Sequence, residues 1–466
     1  MNPFLSPLSR SLLALSVRQQ QATALWNPGH WGATVNGRGN LELDGVDLFQ
    51  LVAQHGSPLL AVGRAKLLAD AGRFKSAVDA VLPDALIGIS YKTNCIPGVL
   101  SELHRAGFAA EVISPYELWL ADSLNVPGKR IVVNGVNKDD EFLREAVRLK
   151  VASINIDESG EIERLRDPAR RLGTPVRVSL RLKVDGASHF GLGIESGEAA
   201  RAASELANSP DLFDFRGLHF HALADNDDPE RHVRYIRRAI EFAAHIRSRF
   251  NLPTETLNVG GGYTVPTMKV MSRFEYARQR LLDVPCRPPD PEAGVDIGRY
   301  IQRLAAAAGE ACRAADLPLP RLIFEPGRIV FSQSHVLLSK VHAVKTNASG
   351  AKFVMTDAGK ILTSYPCDYE YHQMFVANKM HLACNSTYQL MGRLCTSADW
   401  LAKNRYLPPV EPGDVIAVMD AGAYFTSYSS NFAFPRPPVV LLDDGHVRTL
   451  RRGESFEHLT AMDVAG

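Results

Sequence analysis

The sequence predicts an α/β protein, a (β/α)8 barrel of the TIM type followed by a C-terminal β-rich domain. Three observations predict it. Eight short apolar, β-rich runs recur through the middle of the chain; amphipathic segments of helix length separate the first of them; and the pattern changes after residue 330. The runs are 86–92, 108–113, 130–135, 152–157, 176–184, 215–222, 256–261 and 321–330, and the first five begin 22, 22, 22 and 24 residues apart. That spacing leaves room for one helix between neighbours, and 96–107, 114–124 and 139–150 place apolar residues at three- and four-residue intervals. Strands of nearly continuous apolar character are covered on both faces, as in a parallel barrel. A doubly wound open sheet shares this alternation and is the structural alternative.

A proline-rich stretch at 285–291 marks a loop insertion between the seventh and eighth runs. Beyond 330 the segments HVLLSKVHAVKT, KFVMTDAG, DVIAVMDAG and PPVVLLDDGHVRTL read as strands, the last folded into a hairpin at its Asp-Asp-Gly turn. The expected division is an N-terminal extension over 1–25, strands lent to the β domain by 26–56, a barrel over 57–330 and the β domain over 331–466. Residues 12–17 belong to a short apolar stretch without a signal-peptide pattern, read as a leading amphipathic helix.

Composition narrows the function. Lys+Arg 52 against Asp+Glu 51 gives a net charge of +1, which offers no field for nucleic acid or anionic lipid. No apolar run reaches the roughly 18 residues that span a bilayer. The six cysteines show no metal-ligand or disulfide spacing, so no metal is expected and a cytoplasmic, reducing compartment is.

In such barrels the reactive groups gather where strands end. Those ends carry Lys92, Glu111, Asn134, Arg181, His221, Gly260, Gly261, Gly262, Glu325 and Arg328. Lys92 in Tyr-Lys-Thr-Asn either snorkels to solvent or, partly desolvated, becomes a Schiff-base lysine. The glycine triplet serves a tight turn or lets backbone amides approach a phosphate. Glu325 and Arg328 in Glu-Pro-Gly-Arg form an ordinary ion pair or a working acid and base. A lysine, a phosphate cradle and a carboxylate at one mouth are the set that pyridoxal phosphate requires.

The motifs Tyr91-Lys92, His219-x-His221, Gly260–Gly262, Glu325–Arg328, LCTSAD at 394–399 and Gly422-Ala423-Tyr424 occur in an order that resembles the pyridoxal-phosphate decarboxylases of the alanine-racemase-like barrel class, which includes diaminopimelate and ornithine decarboxylases. The resemblance covers about 56–440. It implies pyridoxal 5′-phosphate as cofactor, a small amino-acid substrate, and a head-to-tail homodimer with shared active sites. It makes Lys92 the Schiff-base lysine, His221 the ring-stacking histidine and Glu325 the partner of the pyridine nitrogen. Gly261, Gly262, Arg328 and Tyr424 become phosphate and substrate contacts, Cys395 the proton donor presented across the dimer, and Asp399 an acid facing the substrate's distal end. Family racemases carry an arginine where Glu325 stands, so Glu325 favours decarboxylation over racemisation or epimerisation. A catalytically silent relative is the third reading.

Three departures bear on substrate. The family's Gly-Ser after the second histidine is replaced by Ala222-Leu223. Thr396 follows the cysteine where diaminopimelate decarboxylases carry a glutamate, and Tyr365-Pro366-Cys367-Asp368-Tyr369 replaces their arginine-bearing segment. Losing that acid and that base predicts a substrate other than diaminopimelate. Tyr365, Asp368, Tyr369, Tyr371 and Asp399 are the residues left to meet it, some of them also candidates for the core of the β domain.

Overall fold

The structure, a computed structural model, describes residues 7–464 except 24–25, 186–187, 222–223, 283 and 364–365; of 7–14, 280, 282 and 293 it describes the backbone alone. The chain divides into two compact units: Ala71–Tyr263 with Val295–Gly327, and Met1–Asp70 with Thr264–Gly294 and Arg328–Gly466.

The first unit is the expected barrel. Its strands are β1 (Leu86–Ser90), β2 (Ala109–Val112), β3 (Ile131–Val133), β4 (Ser153–Ile156), β5 (Val176–Lys183), β6 (Phe213–His219), β7 (Thr256–Asn258) and β8 (Arg321–Phe324). Each pairs in parallel with the next, and β8 returns to β1 through Ile323↔Leu86 and Phe324↔Ile87. Closure excludes the open sheet. β2, β3 and β4 are buried at every position, the two-sided burial their apolar runs predict. Ser114 and Asp139 cap the helices Pro115–Ser123 and Asp140–Arg148, each accepting a backbone N–H, so these helices start where the sequence places them.

The eighth run ends earlier than its apolar character suggests. Pro326 has no N–H to continue a ladder, and its carbonyl accepts instead from Ser90 N at 3.1 Å. The strand stops at Phe324, and Glu325 opens the turn that follows.

The second unit is β-rich. A sheet runs in the order Trp400–Leu407, Ser386–Met391, Lys352–Thr356, His335–Thr346, Leu59–Gly63, Val439–Asp443, His446–Arg451, with Val415–Val418 and Met374–Val376 branching from His335–Thr346. The expected hairpin is present: Asp443 faces His446 across Asp444 and Gly445, both at positive φ. Two expected boundaries shift. Leu59–Gly63, assigned by sequence to the barrel, pairs with His335–Thr346 and Val439–Asp443. Residues 264–294 join this unit rather than the barrel, anchored by Lys269–Val270 pairing with Glu370–Tyr371. The strands Ala33–Val35, Leu41–Leu43 and Val46–Asp47 form a small sheet of their own in this unit, whose leucines share a core with Val336, Leu338 and Phe375.

Val17 and Gln21 of the N-terminal helix Pro7–Thr23 are buried. Gln21, 3% exposed, donates to Cys286 O at 3.0 Å and accepts from Tyr406 N at 3.0 Å. No helix among the described residues is long and apolar enough to cross a membrane. Gln21→Ala should leave two buried backbone groups unsatisfied and lower stability by about 2 kcal/mol, read as a lower midpoint in urea denaturation.

Candidate active site

The strand ends of the barrel converge on one carboxylate. Glu325, 3% exposed, accepts at Oε1 from Asn134 Nδ2 (2.7 Å) and Asn258 Nδ2 (2.6 Å). Asn134 also donates to Glu111 Oε1 at 2.8 Å, and its own carbonyl accepts from Asn155 Nδ2 at 2.6 Å. A polar chain therefore crosses the barrel from β4 through β3 to β7 and the end of β8. Oε2 of Glu325 is buried without a hydrogen-bond partner, with His221 Nδ1 3.5 Å away.

Burial opposes a charge on Glu325, but the facing imidazoles of His219 and His221 and the Lys92 ammonium outweigh it and hold its pKa well below the carboxylate range. Burial pushes the pKa of His219 down to about 3 against the pull of Glu325, and neither of its ring nitrogens finds a hydrogen-bond partner. The site thus keeps an ionised carboxylate with one oxygen unspent.

Lys92 stands in the turn directly after β1, half-buried, and its charge reaches Glu325 and Glu117. Glu117 is the buried third residue of the helix Pro115–Ser123 and accepts from Ile113 N at 2.8 Å. Burial and the nearby Glu111 push its pKa up to about 7. Tyr91 beside Lys92 is spent on packing, its hydroxyl 2.6 Å from His104 Nε2.

The glycine triplet is required sterically. A Cβ on Gly261 would lie 2.2 Å from Glu325 O, one on Gly260 would lie 2.7 Å from Phe220 O, and Gly260 and Gly262 have φ of +71° and +93°. Gly261 N donates to His221 Nδ1 at 3.3 Å, which binds the triplet to the histidine. The replaced Gly-Ser pair, now Ala222-Leu223, lies outside the described residues.

The β-rich unit carries the remaining candidates. Arg328 is paired with buried Glu370 (2.6 and 3.2 Å), and Glu370 is also 3.1 Å from His372 Nε2, whose Nδ1 lies 3.0 Å from Met419 O. Burial raises the pKa of Glu370, but Arg328 and His372 bring it below its ordinary value. Tyr424 holds a left-handed backbone at φ +71° with its ring 5.4 Å from the Arg328 guanidinium. Cys395 is an exposed free thiol.

Asp399 departs from its expected role. It is 1% exposed, and its oxygens accept from Lys360 N (2.7 Å) and Leu394 N (2.6 Å). A Cβ on either Gly359 or Gly392 would strike it. Asp399 pins the loop that carries Cys395 and does not face open space. Tyr371 is core, 1% exposed; Tyr369 is exposed and stacks on Tyr276; Asp368 is paired with Lys360. Tyr365 lies outside the described residues.

Sequence reasoning missed Asn155, Asn258 and Glu117. The available signal was an asparagine interrupting an apolar barrel strand, as in Ser-Ile-Asn-Ile and Thr-Leu-Asn-Val. No group of three or more metal-ligating side chains occurs among the described residues.

These barrel groups fit pyridoxal phosphate. The unspent Glu325 oxygen suits a pyridinium N–H, and Lys92 carries the amine that an imine requires. The turn at 260–262 has no room for side chains at 260 and 261 and holds Gly262 at positive φ, so the backbone there stands open to close approach by a phosphate.

Comparison with known proteins agrees. Residues 68–332 match the family described as pyridoxal-dependent decarboxylase, pyridoxal binding domain. Diaminopimelate decarboxylase of Zymomonas mobilis is 30% identical over 90% of this chain and 96% of its own. The enzyme of the same name from Methanocaldococcus jannaschii is 27% identical over 91% of this chain and 95% of its own. A crystal structure of diaminopimelate decarboxylase from that organism superposes with a TM-score of 0.81 at 25% identity, covering 94% of this chain and 99% of the other.

The pKa of Glu117 makes a pH prediction. Its folded pKa of about 7 exceeds the ordinary 4.5, so between these values the folded chain binds more protons than the unfolded one. This group's contribution to stability is intact below pH 4.5 and is lost as pH rises toward 7. Glu117→Gln should therefore gain stability over the parent between pH 5 and pH 8, by up to about 3 kcal/mol, in denaturant titrations at the two pH values.

Proposed function

The chain belongs to the pyridoxal-dependent decarboxylase family, and from that membership we propose that it decarboxylates an α-amino acid other than diaminopimelate, as a homodimer in which Cys395 of one copy serves the barrel of the other. The cofactor is pyridoxal 5′-phosphate. The observation that carries the reading is Glu325: an ionised, buried carboxylate with one oxygen held by two asparagines and the other unspent.

When bound, the cofactor supplies an electron sink for the pair left on Cα as carbon dioxide departs. The chain supplies the rest. Glu325 keeps a proton on the pyridine nitrogen, and Asn134 and Asn258 fix the carboxylate's plane so that Oε2 is presented. Lys92 would hold the cofactor through its side-chain amine. His221, fastened to Gly261 N, offers its ring as a platform. The side-chain-free backbone of 260–262 would border the phosphate where the family's serine is replaced. Cys395 returns a proton to Cα, a role suited to its exposure on a loop that Asp399 pins.

Two features support a substrate other than diaminopimelate. Thr396 offers no charge to a distal ammonium, and the Arg328 charge is already met by Glu370. The relatives named above are diaminopimelate decarboxylases, but at 25–30% identity a few side chains at the distal end are enough to change the substrate. Racemisation is the second reading, disfavoured by the acid at Glu325.

Purified protein should be yellow, and borohydride should fix the cofactor on Lys92; a colourless protein with unmodified Lys92 would overturn the assignment. A screen for carbon dioxide release across L- and D-amino acids, with diaminopimelate included, identifies the substrate. Loss of Cα deuterium without carbon dioxide would mean racemisation. Glu325→Ala should lower kcat by about 10²-fold or more with the Lys92 adduct retained. Mixing Cys395→Ala with Lys92→Ala chains should restore part of the activity, and no restoration would count against a shared site.

A further inference from the structure

Arg328 is neutralised by Glu370, and Arg181 by Asp157 at 3.1 Å. Arg393, two residues before Cys395, is not. Its Nε is buried without a partner, and its guanidinium makes no hydrogen bond or ion pair with any described residue. It lies flat enough to place its central carbon 3.7 Å from the centroid of the Phe434 ring, and both residues are half-buried. The two carboxylates whose charge reaches it are spoken for. Asp399 accepts from Lys360 N and Leu394 N; Asp357 accepts from Ser57, Ser339 and Lys340 N.

A stacked guanidinium loses little further freedom on binding, and its planar fork matches a carboxylate. Burial makes an unmatched cation costly unless something comes to meet it. The backbone beside it is fixed, because Leu394 N is bound to Asp399 and Gly392 N donates to Asp399 O at 2.9 Å. Arg393 is therefore held on a fixed backbone two residues before Cys395 without an anion.

We propose that Arg393 reads the distal end of the substrate, and that this end is a carboxylate rather than an amine. The proposal rests on the decarboxylase reading above and on Cys395 reaching the reacting centre, since Arg393 travels on the same pinned loop. It supplies the base that the Tyr365 segment lacks, while Thr396 leaves no acid for a distal ammonium. The substrate class is a dicarboxylic α-amino acid without a second amine.

The test uses holoenzyme titrated with 2-aminoadipate, 2-aminopimelate and lysine, read by the cofactor's absorbance. The two dicarboxylic probes should bind at least about ten-fold more tightly than lysine. Arg393→Gln should weaken them by about ten- to hundred-fold while changing lysine by less than about two-fold, and Arg393→Lys should recover part of the loss. Equal affinity of the parent for lysine and 2-aminoadipate would overturn this proposal and leave the decarboxylase reading standing. So would an equal loss on all probes, or a variant whose only change is a weaker dimer in sedimentation velocity. A holoenzyme whose spectrum responds to no amino acid would overturn both.

Discussion

The barrel mouth is organised around the buried carboxylate of Glu325. Glu325 stays ionised inside the protein because two asparagine amides hold one oxygen and because His221 and Lys92 stand close enough to favour the charge. Without them its desolvation would neutralise it, as burial raises any carboxyl's pKa. The neighbouring groups are arranged to suit: Asn134 bridges to Glu111, and Gly261 has no side chain because the Glu325 carbonyl occupies that space. A protonated pyridine nitrogen needs such a carboxylate, and this link ties the barrel's interior to the chemistry.

The β-rich unit handles charge differently. Arg328, Glu370 and His372 form a closed set that ends on a main-chain carbonyl, so Arg328 is held rigidly beside Tyr424 rather than left to search for an anion. Asp420 below this loop is fully buried, accepting from Trp31 Nε1 at 2.9 Å and Thr267 Oγ1 at 2.8 Å. The N-terminal segment and the 264–294 insertion thereby hold the turn from which Tyr424 projects. Their positions at opposite places in the sequence explain why neither reads as functional on inspection.

Legibility of the site followed the range of the physics involved. Lys92, Glu325 and the glycine triplet stand out because a strand exit, a Glu-Pro-Gly turn and a run of glycines are local features. The asparagines were harder: Asn134 and Asn258 are 124 residues apart in sequence, and only the strand order brings both to one oxygen. Asp399 had the right chemistry at the right place in its motif, yet its direction is set by Gly359 and Gly392, which leave room for it to turn inward. Tyr371 likewise went to the core.

By itself the sequence determined the barrel, the β domain and the cofactor, because apolar period, turn chemistry and residue type act over a few positions at a time. Closure of the barrel, the assignment of Leu59–Gly63 and 264–294 to the β-rich unit, and the pairing state of every buried charge were decided only in three dimensions. Strand partnership and counter-ion choice depend on which distant residues arrive at the same place, and no local pattern encodes that. Arg328 and Arg393 look alike in the sequence; Glu370 neutralises one and Phe434 merely supports the other.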